Sequence, residues 1–352
     1  MKQTQLALVL LAVGCGGATG LPHGADASSC GTCHASQHAA WSRSRHALSL
    51  GSPVFNALLP RVEAAWGRAA KDRCVSCHAP GHGGDESIGC VSCHGAIGNR
   101  GEANGALVVN LDAPLGSMTR VVSNDAHAVR PRGLLGSASL CGTCHEVHGP
   151  GLFNEHTLTE LRASPGADSC ITCHEAKSHR FAGVDPAWDG TPAERAEADE
   201  RARELWASAL ELELRTTSTG VEVTLTNPGR HAVPTGVAML RDVWVDLEVR
   251  GARRLEATRV IDLRARVLSG EQTVALVTDA SRVEEAALLP GASRTFTWTP
   301  PPGADGVLEV RAVVKARAFR DDVLHALGLE ARVAEVTTLE VAEQRVSLPA
   351  RR

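Results

Sequence analysis

Past residue 210 the chain alternates apolar and polar positions with period two, over 210–215, 221–226, 243–249, 294–299 and 307–314. Turn-forming clusters separate these runs, among them Asn227-Pro228-Gly229 and Pro300 to Gly303. Seven or eight short strands of this kind predict an antiparallel β-sandwich over 209–350. Ahead of it, Thr191, Pro192 and Glu194 have the form of a helix start, with a capping threonine, proline in the first turn and a glutamate reaching back. That start predicts a linking helix over 191–208. Further upstream, 34–47 lacks Pro and Gly and suits a short helix, 53–71 reads as another, and 105–110 as a hairpin or loop. The Gly/Ala/Ser-rich stretch 16–29 reads as a tether.

Composition divides the chain near residue 200, and 352 residues suit two domains. All eleven cysteines, ten of them in motifs, and thirteen of the fifteen histidines precede residue 190. Those ten cysteines fall in five Cys-x-x-Cys-His motifs: Cys30, Cys33 and His34; Cys74, Cys77 and His78; Cys90, Cys93 and His94; Cys141, Cys144 and His145; Cys170, Cys173 and His174. Two thiols three residues apart span one edge of a porphyrin, and the next residue turns beneath its centre, so the pentapeptide is the attachment signature of haem c. Zinc knuckles and redox disulfides also use Cys-x-x-Cys, but they leave the following residue free to vary. Five covalently bound haem c groups are therefore expected, with His34, His78, His94, His145 and His174 as proximal iron ligands.

The first half has only Trp41, Trp66, Trp188, Phe55, Phe153 and Phe181 as aromatics, which is thin for an ordinary core. A porphyrin hiding on the order of 500 Å² contributes about 12 kcal/mol of gross apolar burial, enough to supply the missing interior. The fold class expected is multidomain α+β, a haem-packed, mostly helical or irregular domain over 30–190 followed by the sandwich. The formal net charge of -4 understates the acidity of a chain carrying ten haem propionates, and a nucleic-acid partner is excluded on that ground.

Met1 and Lys2 precede an apolar run over 6–13 that is too short to span a bilayer. The segment Leu11-Ala12-Val13-Gly14-Cys15 resembles a bacterial lipobox, which implies a signal peptide over 1–15 and a lipid on Cys15. An ordinary signal peptide cut near Gly20 is the alternative. Gly16 after the cysteine fits outer-membrane sorting in such lipoproteins, so the expected location is exported, either periplasmic or anchored to the outer membrane.

The first motif is followed by Trp41, Ser44, His46 and Ala47, and this order resembles the opening of the multihaem cytochromes related to the tetrahaem carrier of hydroxylamine oxidation. The resemblance makes His46 a distal iron ligand. It extends through motifs two and three, and to His127 upstream of motif four. It continues through Thr157, Glu160, Ser164 and Pro165, then past motif five to His179, Arg180, Phe181 and Gly183. It also covers His231, Pro234, Thr235 and Gly236, similar to the family's Gly-His-x-x-Pro-Thr-Gly segment with Arg230 in place of glycine. Distal ligation by His46, His127, His179 and His231 is what the resemblance implies. For the fifth iron the candidates are His82, foremost, and His23, His38, His148 or His156; otherwise that iron stays open.

Saturated irons bind no substrate, so the expected function is an electron relay between redox protein partners, with no catalytic residues. The alternative is a multihaem oxidoreductase of nitrogen compounds using one five-coordinate haem. Against it, no motif reads Cys-x-x-Cys-Lys, and the chain has no tyrosine for the crosslink of the hydroxylamine enzymes. A sandwich serving as a docking module is compatible with the relay. The haem-free segment 30–190 is expected to be unfolded; circular dichroism checks this, and a cooperative, compact segment would contradict it.

Overall fold

The computed structural model describes residues 26–80, 87–123, 126–166, 169–251, 255–302 and 306–349. Cys15, His23 and His82 lie outside the described residues, as does the apolar run over 6–13. Within them the chain is α+β, with short helices and small sheets in the first half and long antiparallel strands in the second.

The first described helix, Ala27–Gly31, lies partly inside the stretch expected to be a tether, because the Asp26 carboxylate accepts a hydrogen bond from the Ser29 amide (2.7 Å) and caps it. Helix Ala35–Trp41 follows. The single helix expected over 53–71 is two: Pro53–Trp66, started by Ser52 and Pro53, and Arg68–His78. Gly67 separates them at φ 84, a backbone setting that glycine adopts without a Cβ penalty. The second helix thereby gains its own direction and ends on the His78 of motif two. Over 105–110, Leu107–Val109 pairs with Ala96–Asn99 as an antiparallel hairpin.

Thr191 and Glu194 close a capping box on helix Pro192–Ala209, the Glu194 carboxylate accepting from the Thr191 amide (2.8 Å) and the Glu194 amide donating to Thr191 Oγ1 (3.3 Å). Ala198, Ala202 and Trp206, four residues apart, form its buried stripe.

Seven strands make the two larger sheets: β1 Glu211–Thr216, β2 Val221–Thr226, β3 Asp242–Arg250, β4 Leu255–Asp262, β5 Ser293–Trp298, β6 Leu308–Arg317 and β7 Thr338–Leu348. One sheet has the order β4-β3-β6-β7 and the other β5-β2-β1, every pair antiparallel. Alternate residues Val221, Val223 and Leu225 on β2 and Val243, Val245 and Leu247 on β3 are buried in one shared core with Val310, Ala312, Val314 and Ala316 of β6. The period-two pattern thus places one face of each sheet against the other.

A second core crosses the compositional border. Val54, Leu58 and Val62, one stripe of helix Pro53–Trp66, pack with Met239, Leu240, Val267, Leu276, Phe319 and Leu324. Arg61 donates to the Ala326 carbonyl (2.7 Å), and Arg241 pairs with Asp185 (2.5 Å) across the same seam. By contrast the buried cluster beside motif four is small, consisting of Ala138, Leu158 and Leu161. Replacing the fully buried Leu225 by alanine is expected to lower the unfolding free energy by about 2–5 kcal/mol, read from chemical denaturation followed by far-ultraviolet circular dichroism.

Candidate functional site: five motif turns and the imidazoles that face them

Four motifs are a turn of helix or run directly out of one, and the fifth, Cys170 to His174, is a hydrogen-bonded turn. Cys30 lies in Ala27–Gly31, Cys74 to His78 end Arg68–His78, Cys90–His94 is a helix of its own, and Cys141 lies in Ala138–Gly142. The amides of His34, His145 and His174 donate to the carbonyls of Cys30, Cys141 and Cys170 (2.9, 2.9 and 3.1 Å). This i to i+4 bond brings the second cysteine and the histidine onto the side of the first. None of the ten motif cysteines is paired in a disulfide.

Four motif histidines face a second imidazole. Ring centres are 6.1 Å apart for His34 and His127, 6.4 Å for His46 and His145, 6.1 Å for His94 and His179, and 6.3 Å for His174 and His231. Two metal–nitrogen bonds of about 2.0 Å, with about 1.1 Å from each nitrogen to its ring centre, add to about 6.2 Å. The separations therefore fit one iron between each pair. The sequence did not say which distal ring faces which motif; the structure sets His127 with motif one, His179 with motif three, His46 with motif four and His231 with motif five.

His78 of motif two is different. Its ring stacks on Phe55, centres 3.9 Å apart and planes 15° apart. Among the described residues no second imidazole ring faces it. His38 packs on Trp41 (5.5 Å), and His148 pairs with His156 (5.5 Å), so none of these three stands opposite a motif histidine.

The Nδ1 atoms fix how the rings are turned. His78 bonds the Ser49 carbonyl (3.2 Å), His94 that of Gly116 (2.8 Å) and His174 that of Ala182 (2.9 Å), which leaves each Nε2 free for a metal. His145 instead meets a carboxylate, Oε1 of the buried Glu155, at 3.0 Å. Although about half of its side chain stays accessible (53%), surrounding groups desolvate His145 and oppose its charge; the hydrogen bond to Glu155 and that carboxylate's charge outweigh this and raise its pKa to about 9. Burial, with His145, His174 and His78 nearby, lowers His46 to about 3, so its imidazole is neutral and its lone pair available. Packing on Phe181 (4.7 Å) rather than a hydrogen bond positions that ring, whose buried Nδ1 has no partner.

Sequence reasoning missed Glu155, which carries no motif signal, and did not explain why Glu160 and Ser164 belong to the block between motifs four and five. The structure supplies the reason. The Glu160 carboxylate accepts from the Ala232 amide (2.9 Å) and Thr235 Oγ1 (3.0 Å), while Ser164 donates to the Arg230 carbonyl (2.7 Å). Thr157, which donates to Glu155 (3.1 Å), also meets Thr235 (2.8 Å). Asn227 shapes the loop itself, donating to the carbonyls of His231 (2.9 Å) and Leu288 (2.7 Å) and accepting from the Gly229 amide (2.8 Å). One loop thus presents His231 to motif five and buttresses the Glu155 that holds His145.

The centres adjoin one another. The side chain of Cys77 lies beside that of Cys144, and that of Cys141 beside that of Cys170. Cys93 lies close enough to feel Cys144, and His179 close enough to feel His34. Motif four therefore has motifs two, three and five as neighbours, and the centre at motif three also borders that at motif one.

No family model and no curated protein matches this chain. Its fold is similar to the crystal structure of a penta-haem cytochrome c552 from Thermochromatium tepidum, with a TM-score of 0.67 and 16% sequence identity over 92% of this chain and 98% of that one. At that identity the likeness establishes the fold. On that fold this chain sets five attachment motifs of its own, and they fit five covalently bound haem c groups. Replacing Glu155 by glutamine is expected to raise the midpoint potential of one haem among the five, because a carboxylate on Nδ1–H makes the imidazole more electron-donating and favours ferric iron; spectroelectrochemical titration checks it.

Proposed function

We propose that the chain is a pentahaem c-type cytochrome that relays electrons between redox protein partners, exported and held at the outer membrane or in the periplasm through a lipid on Cys15. The supporting observation is the set of four facing imidazole pairs, at 6.1 to 6.4 Å. Haem c, when bound, supplies a one-electron couple at each iron. His46, His127, His179 and His231 fill the positions a substrate needs, and ligation by two imidazoles changes little between oxidation states, which suits transfer rather than catalysis. The contiguity of the motifs through motif four favours passage along a row of centres. Among the described residues no helix is long and apolar enough to cross a membrane.

His78 motivates a second reading, a multihaem oxidoreductase of nitrogen compounds acting at motif two, since among the described residues no second imidazole is set opposite it. The two readings part on one measurement. Electron paramagnetic resonance of the oxidised protein is expected to show low-spin ferric haems throughout, with the haem at motif two turning high-spin when His82 is replaced by alanine. A high-spin signal in the unaltered protein, moved by added nitrite or hydroxylamine, favours the enzyme.

A further inference from the structure

Outside the facing pairs, one cluster of ligand atoms has no part in the relay. Glu146, His148 and His156 each offer one atom, and all three lie within 4.8 Å of one another. Glu146 Oε1 stands 3.4 Å from both His148 Nε2 and His156 Nδ1. That is longer than an ordinary nitrogen–oxygen hydrogen bond, yet it matches the edge of a tetrahedron whose metal bonds are about 2.05 Å, which is about 3.35 Å.

The chain holds the three residues in place from outside the cluster. Glu146 is 3% exposed, and Thr159 orients its carboxylate, the amide donating to Oε2 (2.9 Å) and Oγ1 to Oε1 (2.9 Å). A two-residue antiparallel ladder pairs Val147 with Glu155 and His148 with Asn154, and the His148 amide donates to Asn104 Oδ1 (2.9 Å). His156 sits at the start of helix Thr157–Ala163. A buried carboxylate oriented by a neighbouring hydroxyl and amide, with two imidazoles converging on one of its oxygens, is the outer support a metal ligand set requires. The rings of His148 and His156 are half-exposed, 54% and 51%, so an ion here is reached from solvent and keeps a water as fourth ligand.

The geometry points to a divalent-cation site of the zinc class formed by Glu146, His148 and His156, clipping the hairpin after motif four to the helix that follows it. It is independent of the relay reading, because the ion is counted apart from the haem irons. Purified holoprotein is dialysed against zinc chloride and then against metal-free buffer, and zinc and iron are measured by plasma mass spectrometry. One zinc per five irons is expected, with affinity at least tenfold weaker in His148→Ala and in His156→Ala, and with the haem absorption and paramagnetic spectra of both variants unchanged. Two results overturn the site: zinc retained equally by all three proteins or by none, and a haem spectrum altered in either variant, which would assign that histidine to an iron. Loss of iron or a high-spin signal in the parent protein bears on the relay alone.

Discussion

Imidazole rings set opposite one another, with centres 6.1 to 6.4 Å apart, are the constraint on which this architecture depends. Ring centres at 6.1 to 6.4 Å match two metal–nitrogen bonds plus the reach of each ring, so the separation fits a metal between them. Each pair also joins distant parts of the chain, His34 to His127, His46 to His145, His94 to His179 and His174 to His231. The first half's own apolar cluster is small beside the core between the sheets.

Electrostatics distinguishes the motif imidazoles from one another. Three motif imidazoles rest on neutral backbone carbonyls, and one on the carboxylate of Glu155. A full negative charge one hydrogen bond from the ligand stabilises the more positive iron, whereas a carbonyl dipole does so less. Motif four is also the one with three neighbouring motifs, so the most strongly tuned position is the most connected. The loop carrying His231 reaches the same place through Thr235, Thr157 and Glu160, which ties ligation at motif five to the electrostatics at motif four.

The strands and the linking helix were legible because their signals are local. Period-two alternation marked β1, β2, β3, β5 and β6, and Thr191 with Glu194 marked a helix start whose reciprocal bonds are present. The five attachment turns were legible for the same reason, each being a pentapeptide. What the sequence could not show is non-local. The pairing of rings depends on the tertiary path, and Glu155 has no spacing to announce it. Gly67 breaks the helix expected over 53–71 through a positive φ that composition leaves open. Nor did the border of composition near residue 200 show that the stripe Val54, Leu58 and Val62 buries itself among residues of the second half.

That shared interior bears on how such a chain can change over evolutionary time. A segment whose buried face is completed by its neighbour is not a cassette: moved to another protein, it takes along an uncovered apolar stripe and leaves a hole behind. The β-sheet half and the cysteine-rich half are thereby expected to be inherited as one piece.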